Sequence, residues 1–330
     1  MTVQPGFIGC PGDALARATE TAAIAAMAQV GRGDEKAADL AAARAMRAAL
    51  ANLPLHSRIV VGESEILDED YEPVLAAGQV YGAENGPEFD VALDALEGAT
   101  IAAKAKANAL TVIAAGPRGS FLPVPDIYMD KLAIGPGYPQ DLVDLDAPAG
   151  ENAIRLAKHK GVDVTEITAC VLDRPRHEAI ITDLRLAGAR VNLIGDGDVA
   201  AVIHTAMRNC EIDMYVGQGG APMGVLAAAA LKCVGGQFQG RLVFRAPHDK
   251  AKAERAGLET NGRRYSVDDL VSEDCVFAAT GVTRGLLLDS VRVSNNVVRT
   301  HSLVMASETG LTRWIRSERP FEEATSGRDG

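Results

Sequence analysis

The sequence predicts an α/β protein built from two α/β halves, and three observations support this class. Two Ala-rich stretches at residues 14–30 and 36–53 carry Leu, Ile and Met at helical spacing on either side of a glycine turn, which indicates two long helices. Short β-branched runs bounded by Gly, Pro or charged turns indicate strands, at residues 57–62, 88–94, 109–116 and 126–137. After residue 150, strand and helix patterns alternate, as they do in crossover units.

The alternating part contains three strand and helix pairs, at 167–173 with 176–186, 190–195 with 197–207, and 213–217 with 224–236. We therefore expect a boundary near residue 155. An α+β half at residues 1–155 precedes it, and a more regular α/β half at residues 156–330 follows. The last stretch, residues 319–330, is polar and is expected to fray.

Composition limits the classes of function. A net charge of -11 argues against a nucleic-acid partner, because phosphate backbones attract basic surfaces. No basic leader and no apolar run of about 18 residues is found, so we expect a cytoplasmic protein without a membrane partner. The 5 cysteines are scattered and stand mostly in apolar runs, which is typical of free buried thiols: Cys10, Cys170, Cys210, Cys233 and Cys275.

Carboxylates follow several predicted strands. Such oxygens are the ligands that Mg²⁺ and Mn²⁺ prefer, and a metal held this way can grip a phosphoryl oxygen and activate water. Taken singly, each carboxylate is equally typical of a solvated helix, a turn or a helix cap. The spacing Asp94-x-x-Glu97-Gly98 makes the whole set more specific: Asp39, Glu63, Glu65, Asp94, Glu97, Asp196 and Asp198.

Two further stretches are suited to anion binding. Arg174 and Arg176 lie where a strand ends and a helix begins, although two surface arginines flanking Pro175 are an equal alternative. The glycine-rich run at 217–224 offers backbone N–H groups to a phosphate or sugar, or forms a simple tight turn. Tyr128 contacts a phosphate or belongs to the core.

The ordered motifs resemble those of the class II fructose-1,6-bisphosphatases, which in some bacteria also cleave sedoheptulose 1,7-bisphosphate. The resemblance covers roughly residues 14–317 and rests on GRGDEKAAD, VVGESEI, VALDALEG, PDIYMDKLAIGPG, RPRHEAII, GDGDVAA, GGAPMG, GRLVFR and FAATGVTRG. It implies the layered α/β sugar-phosphatase fold shared with lithium-sensitive phosphatases, a homodimer or homotetramer, and a role in carbohydrate metabolism such as gluconeogenesis.

The resemblance also implies roles for individual residues. Its metal and catalytic carboxylates fall on Asp39, Glu63, Asp94 and Glu97, with Mg²⁺ or Mn²⁺ as cofactor and Thr100 as a further catalytic residue. Its substrate contacts fall on Gly98, Ala99, Tyr128, Arg174, Pro175, Arg176, Asp196, Gly197, Asp198 and Gly220.

The chain departs from the family pattern at catalytic positions. Glu35 stands where the family has a lysine, and Ala99 stands where it has the threonine that helps activate water. Met223 replaces a glutamate ligand, and a thioether binds Mg²⁺ poorly. Ser64 also replaces a turn glycine.

Two alternatives would supply the missing groups. In the first, the loop is shifted by one residue, so that Thr100 and Lys36 take the expected roles. In the second, a nearby carboxylate, Asp213 or Glu211, fills the place of the missing ligand.

These observations lead to two hypotheses. In the first, Arg174, Arg176 and Tyr128 hold the distal phosphate of a sugar (bis)phosphate. Asp196 and Asp198 bind its hydroxyls, and a metal-activated water attacks the scissile phosphate. In the second, a repurposed paralogue binds a sugar phosphate without hydrolysing it, as a regulatory subunit or as an isomerase or epimerase.

Overall fold

The computed structural model describes residues 11–63, 73–207 and 211–321. The helices in these residues are α1 (Pro11–Met27), α2 (Glu35–Ala51), α3 (Ala99–Ala103), α4 (Ala149–Lys160), α5 (Glu178–Leu186), α6 (Asp198–His204), α7 (Ala221–Val234), α8 (Pro247–Arg255) and α9 (Val267–Leu270). The strands are β1 (His56–Val61), β2 (Val80–Gly82), β3 (Glu88–Glu97), β4 (Leu110–Pro117), β5 (Tyr128–Ile134), β6 (Thr168–Leu172), β7 (Arg190–Ile194), β8 (Met214–Gly220), β9 (Gln237–Val243), β10 (Arg264–Ser266), β11 (Val276–Gly281), β12 (Arg292–Ser294), β13 (Val297–Ala306) and β14 (Leu311–Pro320).

These strands form two sheets. In the described chain the first sheet has 8 strands in the order β12-β13-β11-β4-β3-β1-β2, with β14 also paired to β13. The second has 6 strands in the order β10-β9-β5-β8-β6-β7. In the second sheet β6 runs parallel to β7 and β8, while β5 is antiparallel to both of its neighbours, β8 and β9.

The sheets and helices alternate in layers. Helices α1 and α2 cover one face of the first sheet, and their buried alanines pack against its Val, Ile and Ala side chains. Helices α6 and α7 lie between the two sheets and share one apolar cluster with both. Helices α4 and α5 cover the outer face of the second sheet. The predicted layered α/β fold is confirmed.

Helix α7 shows why the middle layer is apolar all round. Most of its residues, which include a run of four alanines at 227–230, are buried. A helix packed between two sheets has no solvent face, so an amphipathic stripe is absent and small residues allow close approach on both sides.

The sheets are not separated by chain order. Strand β5 belongs to the second sheet although it precedes residue 155, whereas β11 to β14 return to the first sheet. Residue 155 itself lies within α4. The division into residues 1–155 and 156–330 as functional halves stays a prediction, but sheet membership crosses it.

Other expectations have mixed outcomes. The elements β2, α4 and those after residue 236 are not predicted by the sequence patterns. Arg319 and Pro320, expected to fray, are the last residues of β14, and residues 322–330 lie outside the described residues. Cys170, Cys233 and Cys275 are buried and free, as predicted, while Cys10, Ser64, Glu65 and Cys210 fall outside the described residues. No helix in the described ranges has the length and apolar character needed to cross a bilayer.

Candidate active site

The chemistry-bearing residues of the second sheet meet at one of its edges. Strand β6 leads into Arg174, and β8, which runs parallel to it, ends at Gly220. Strand β5 is antiparallel to β8, so its first residue, Tyr128, lies beside Gly220 in the register. The topology therefore gathers the predicted arginines, the tyrosine and the glycine-rich turn from distant parts of the chain.

The first sheet supplies the carboxylates. Because β1 and β3 are parallel, Glu63 follows β1 close to the end of β3, and its Oε1 accepts a hydrogen bond from the N–H of Ala95 at 2.8 Å. The register of β3 against β4 shifts between Asp94 and Glu97. Such a bulge turns side chains out of the regular alternation. Asp39 reaches the same region from α2, which begins after Asp34, whose Oδ1 accepts from the N–H of Ala37 at 3.0 Å.

Members of both sets line one cleft of about 220 Å³, although Asp39 and Glu63 are not part of its lining. Its lining includes Asp94, Glu97, Asp196 and Asp198, together with Tyr128, Arg174, Arg176, Gly98, Gly220 and Met223. A larger cavity of about 700 Å³ elsewhere is lined mainly by apolar side chains such as Leu286, Leu287 and Trp314. The smaller cleft is the candidate site because acidic and basic side chains converge there.

The four carboxylates predicted as metal ligands repel one another. Burial, followed by the charges of Glu63, Glu35 and Asp196, raises the pKa of Asp39 to about 7. Burial also raises the pKa of Glu63 and, together with neighbouring carboxylates, raises the pKa values of Asp94 and Glu97 well above their usual range. Without a cation, these groups hold protons more tightly than ordinary carboxyl groups do.

The donor set fits a divalent cation. The Oε2 atom of Glu97 is buried and has no hydrogen-bond partner among the described residues, and none of Asp39, Glu63, Asp94 and Glu97 pairs with a basic side chain there. Buried carboxylates without positive partners are costly unless a cation compensates them. As placed, no three Asp, Glu, His or Cys side chains of the described chain are arranged around one ion, so coordination requires some of them to turn.

Asp198 is held by the deepest ion pair of the site. Its Oδ2 lies 2.6 Å from Nζ of Lys131, whose side chain is 0% exposed, and the hydroxyl of Tyr215 lies 3.4 Å from the same oxygen. A Cβ on Gly219 would lie only 2.4 Å from this oxygen. The glycine-rich turn therefore allows strand β8 to pass close to a fixed carboxylate.

Asp196 connects the two ends of the cleft. Its Oδ1 accepts from the N–H of Gly197 at 3.1 Å, and Gly197, at φ +88°, turns the chain into α6. Burial raises the pKa of Asp196, the charge of Asp198 raises it further, and Arg174 lowers it. Asp196 also acts on the pKa of Asp94. It thus lies within electrostatic reach of both the arginines and the carboxylates.

The arginine side is ordered by His177 and Gln218. Pro175 opens a short 3₁₀ turn, Pro175–His177, that turns the chain from β6 towards α5. His177 is 1% exposed; its Nδ1 lies 2.7 Å from the carbonyl oxygen of Leu172, and its Nε2 accepts from the N–H of Gln218 at 2.8 Å. The carbonyl oxygen of Gln218 accepts from Arg176 Nη2 at 2.7 Å. Because Nε2 accepts the N–H of Gln218, the ring is neutral in this arrangement, and burial lowers the pKa of His177 in the same sense.

The loop after β3 keeps the family turn but not its hydroxyl. Gly98 has φ +91°, and a Cβ there would lie 2.7 Å from the Ile101 side chain, so glycine is required. Ala99 begins α3 and packs partly against the cluster formed with α1 and α2. The hydroxyl of Thr100 donates to Oε2 of Glu35 at 2.9 Å.

The proposed replacement ligands lie elsewhere. Asp213 pairs with Lys160 and accepts from the N–H of Thr168 at 2.8 Å, at the start of β6, whereas Arg174 follows the end of that strand. Glu211 donates its N–H to Nε2 of His204, at the far end of α6 from Asp198. The prediction that either fills the place of the missing ligand is wrong in this arrangement, and Met223 lines the cleft itself.

Sequence reasoning missed four residues with a part in this site: Lys131, His177, Gln218 and Arg245. Lys131, His177 and Arg245 stand in the motifs quoted above and Gln218 stands in the glycine-rich run at 217–224, but no local pattern marks their roles. Lys131 occupies an inward position of a strand with a largely buried pattern, where a charge is unusual. A lysine in such a strand is the one signal that could have indicated a buried acidic partner.

Comparisons with known proteins identify the family of the chain. The family model described as "Bacterial fructose-1,6-bisphosphatase, glpX-encoded" matches residues 12–319. A class 2 fructose-1,6-bisphosphatase of Escherichia coli (strain K12) is 37% identical over 317 residues, covering 92% of this chain and 93% of the relative. Relatives named fructose-1,6-bisphosphatase class 2 from Escherichia coli O6:H1 and Shigella flexneri show the same identity and coverage. The chain therefore belongs to the bacterial class II fructose-1,6-bisphosphatase family, whose members are phosphoric monoester hydrolases.

Proposed function

We propose that this protein hydrolyses fructose 1,6-bisphosphate to fructose 6-phosphate and inorganic phosphate with a divalent cation, Mg²⁺ or Mn²⁺. The observation that carries the proposal is the single cleft lined by carboxylates and by arginines. A bisphosphate needs two anion sites joined by a polar surface for the sugar, and this cleft offers that combination. The relatives named above act on the same class of substrate by their names.

The carboxylates explain why a cation is needed. Asp94, Glu97 and their neighbours hold protons more tightly than ordinary carboxyl groups, and once ionised they repel a phosphate unless a cation lies between them. Asp39, Glu63, Asp94 and Glu97 would hold it. A bound divalent cation would neutralise charge on the scissile phosphate and lower the pKa of water enough to make it a nucleophile.

The remaining residues bind and orient. Arg174, Arg176 and Tyr128 would hold the distal phosphate, and Asp196 and Asp198 would accept hydrogen bonds from sugar hydroxyls. The Lys131 ion pair keeps one oxygen of Asp198 fixed, so the sugar meets a preorganised acceptor.

The substitutions at Glu35, Ala99 and Met223 are the reason for the alternative, a paralogue that binds a sugar phosphate without hydrolysing it. The extent of the family match does not favour it. The hydroxyl of Thr100, bonded to Glu35, is the hydroxyl nearest in sequence to the one that the family pattern places at residue 99.

Phosphate release from fructose 1,6-bisphosphate, measured with Mg²⁺ or Mn²⁺ and again with EDTA, tests the proposal. We expect turnover that requires the cation and that falls by about 100-fold or more in Asp94→Asn, which removes a charged oxygen ligand. Asp141→Asn, at an exposed position, is the matched control. No phosphate release by the wild-type protein with either cation would refute the proposal. The expected homodimer or homotetramer is a separate proposal, which light scattering of the purified protein checks.

A further inference from the structure

We propose that Arg245 is a third phosphate-binding arginine of the distal subsite, beside Arg174 and Arg176, and makes the cleft selective for sugars that carry two phosphates. This inference rests on the proposed function and deepens it by naming the residue that decides between bisphosphates and monophosphates. It follows from the placement of Arg245, from its contacts and from the charge around it.

Arg245 follows β9, which the other arginines do not, and contacts Tyr128, a residue that lines the cleft. In the second sheet β5 lies between β8 and β9, and Tyr128 at the start of β5 pairs with Gly220 on one side and Val243 on the other. Arg245 follows Val243 by two residues. Its backbone is anchored by Asp249, whose Oδ2 accepts from the N–H of Arg245 at 2.9 Å.

The contacts of Arg245 bring it to the residues already assigned to the distal phosphate. Its Cζ lies 3.4 Å from the centroid of the Tyr128 ring, and Cζ of Arg176 lies 5.3 Å from the same centroid. Stacking on a ring holds a guanidinium group in a defined plane while its outer N–H groups remain available.

Gln218 holds both guanidinium groups. Its side-chain Oε1 accepts from Nη2 of Arg245, and its backbone oxygen accepts from Arg176. Its amide nitrogen donates to Oδ1 of Asp130 at 2.9 Å, which fixes the orientation of the amide with the oxygen towards Arg245. One residue of β8 thus holds two positive groups that both lie near the Tyr128 ring.

No carboxylate of the described residues compensates the charge of this cluster. Arg174, Arg176 and Arg245 form no ion pair there; the guanidinium groups of Arg176 and Arg245 contact the Tyr128 ring and the neutral Gln218. Burial lowers the pKa of Arg176, and the charges of Arg245 and Arg174 lower it further. A group of about two negative charges relieves this repulsion, and a phosphate monoester carries that charge with oxygens suited to guanidinium forks.

Binding without turnover gives the most direct test. Calorimetric titration of fructose 6-phosphate, in EDTA, into the wild-type protein and into Arg245→Met measures the distal subsite alone. We expect binding to weaken by about 10- to 100-fold, the effect of losing one hydrogen-bonded charged partner. Arg255→Met, an exposed arginine at the end of α8, removes the same charge and is expected to bind as the wild type does. Arg245→Lys keeps the charge without the fork and is expected to be intermediate.

Steady-state kinetics test the selectivity between bisphosphate and monophosphate substrates. With the cation present, Arg245→Met should lower kcat/KM for fructose 1,6-bisphosphate by a similar factor and leave kcat/KM for fructose 1-phosphate, which has no distal phosphate, within about twofold. Unchanged affinity for fructose 6-phosphate, equal losses on both substrates, or an equal effect of Arg255→Met would each overturn the assignment. If the wild-type protein bound fructose 6-phosphate but released no phosphate, the proposed hydrolysis would fail and the titration would still decide the role of Arg245.

Discussion

The buried ion pair between Lys131 and Asp198 makes the sharpest prediction about stability. The side chains are 0% and 8% exposed, and the Lys131 nitrogen lies 2.6 Å from the Asp198 oxygen. Lys131→Met keeps a side chain of similar length and removes the positive charge. Among the described residues, the hydroxyl of Tyr215, at 3.4 Å, is then the one hydrogen-bond partner left to that oxygen of Asp198.

The expected loss follows from this geometry. Removing one partner of a buried pair costs about 3 to 5 kcal/mol of folding free energy, because an uncompensated charge remains in a poorly hydrated position. A hydroxyl at the long end of the hydrogen-bond range recovers little of it. The matched control is Lys232→Met, whose partner Asp268 is 83% exposed, and there the expected loss is at most about 1 kcal/mol.

Urea unfolding measures both variants. The chain has one tryptophan, Trp314 in β14, so its fluorescence reports on the first sheet while circular dichroism reports on the whole fold. Coincident transitions allow a two-state free energy to be derived. Lys131→Met with Asp198→Asn should be more stable than Lys131→Met alone by about 1 to 3 kcal/mol, since the unpaired charge is gone. If Lys131→Met costs no more than Lys232→Met, or the second change recovers nothing, the reasoning about this pair is wrong.

Three further predictions concern the cleft. Asp39 has its pKa raised from 3.8 to about 7 in the folded protein, so it contributes stability below pH 4 that is lost as the pH rises through 7. In EDTA we expect Asp39→Asn to flatten the fall of the melting temperature over this range and Asp141→Asn to leave it unchanged; identical slopes in all three proteins would contradict this. Met223 lines the cleft, and Met223→Glu should tighten Mn²⁺ binding by about 10- to 100-fold in a calorimetric titration. Leu186→Glu, at a side chain 82% exposed, is the control and should leave the Mn²⁺ affinity unchanged. Equal Mn²⁺ affinities of Met223→Glu and the wild-type protein would show that residue 223 does not face the cation. His177→Phe leaves the Leu172 carbonyl and the Gln218 N–H without their partner. Urea unfolding should show a loss of folding free energy of about 1 to 3 kcal/mol for each group, and fructose 6-phosphate should bind more weakly. Unaltered fructose 6-phosphate binding would argue against a positioning role for His177.

Local patterns predicted the elements that carry strong periodicity. The Ala-rich helices α1 and α2, the strands around Asp94 and Tyr128, and the alternation from β6 to α7 follow from spacing that a single turn or strand imposes on its own residues. The short strand β2 and the return of β11 to β14 to the first sheet do not, because pairing partners far apart in sequence decide them. Helix α4 was not predicted, because it begins at the end of a stretch rich in Pro, Gly and Asp, residues 137–150, that indicates a loop.

The site was predictable in type and less so in detail. Asp94 with Glu97 and Arg174 with Arg176 could be named because their motifs are local. Whether Thr100 replaces a hydroxyl at residue 99 could not be decided, since this depends on the side of α3 from which each residue projects. In the structure the hydroxyl of Thr100 donates to Glu35. The residue that follows Ala99 is therefore bonded to Glu35, another position at which the chain departs from the family pattern.

The sequence by itself determined the fold class, the family and the acidic and basic motifs, because each is encoded in runs of neighbouring residues. The tertiary structure alone decided that Lys131 neutralises Asp198, that Asp213 lies at the wrong end of β6 to serve as a ligand, and that Arg245 stacks on Tyr128. These facts depend on strand order within the second sheet, where β5 separates β8 from β9. Strand order is set by packing and hydrogen bonding across long stretches of chain, which no local pattern records.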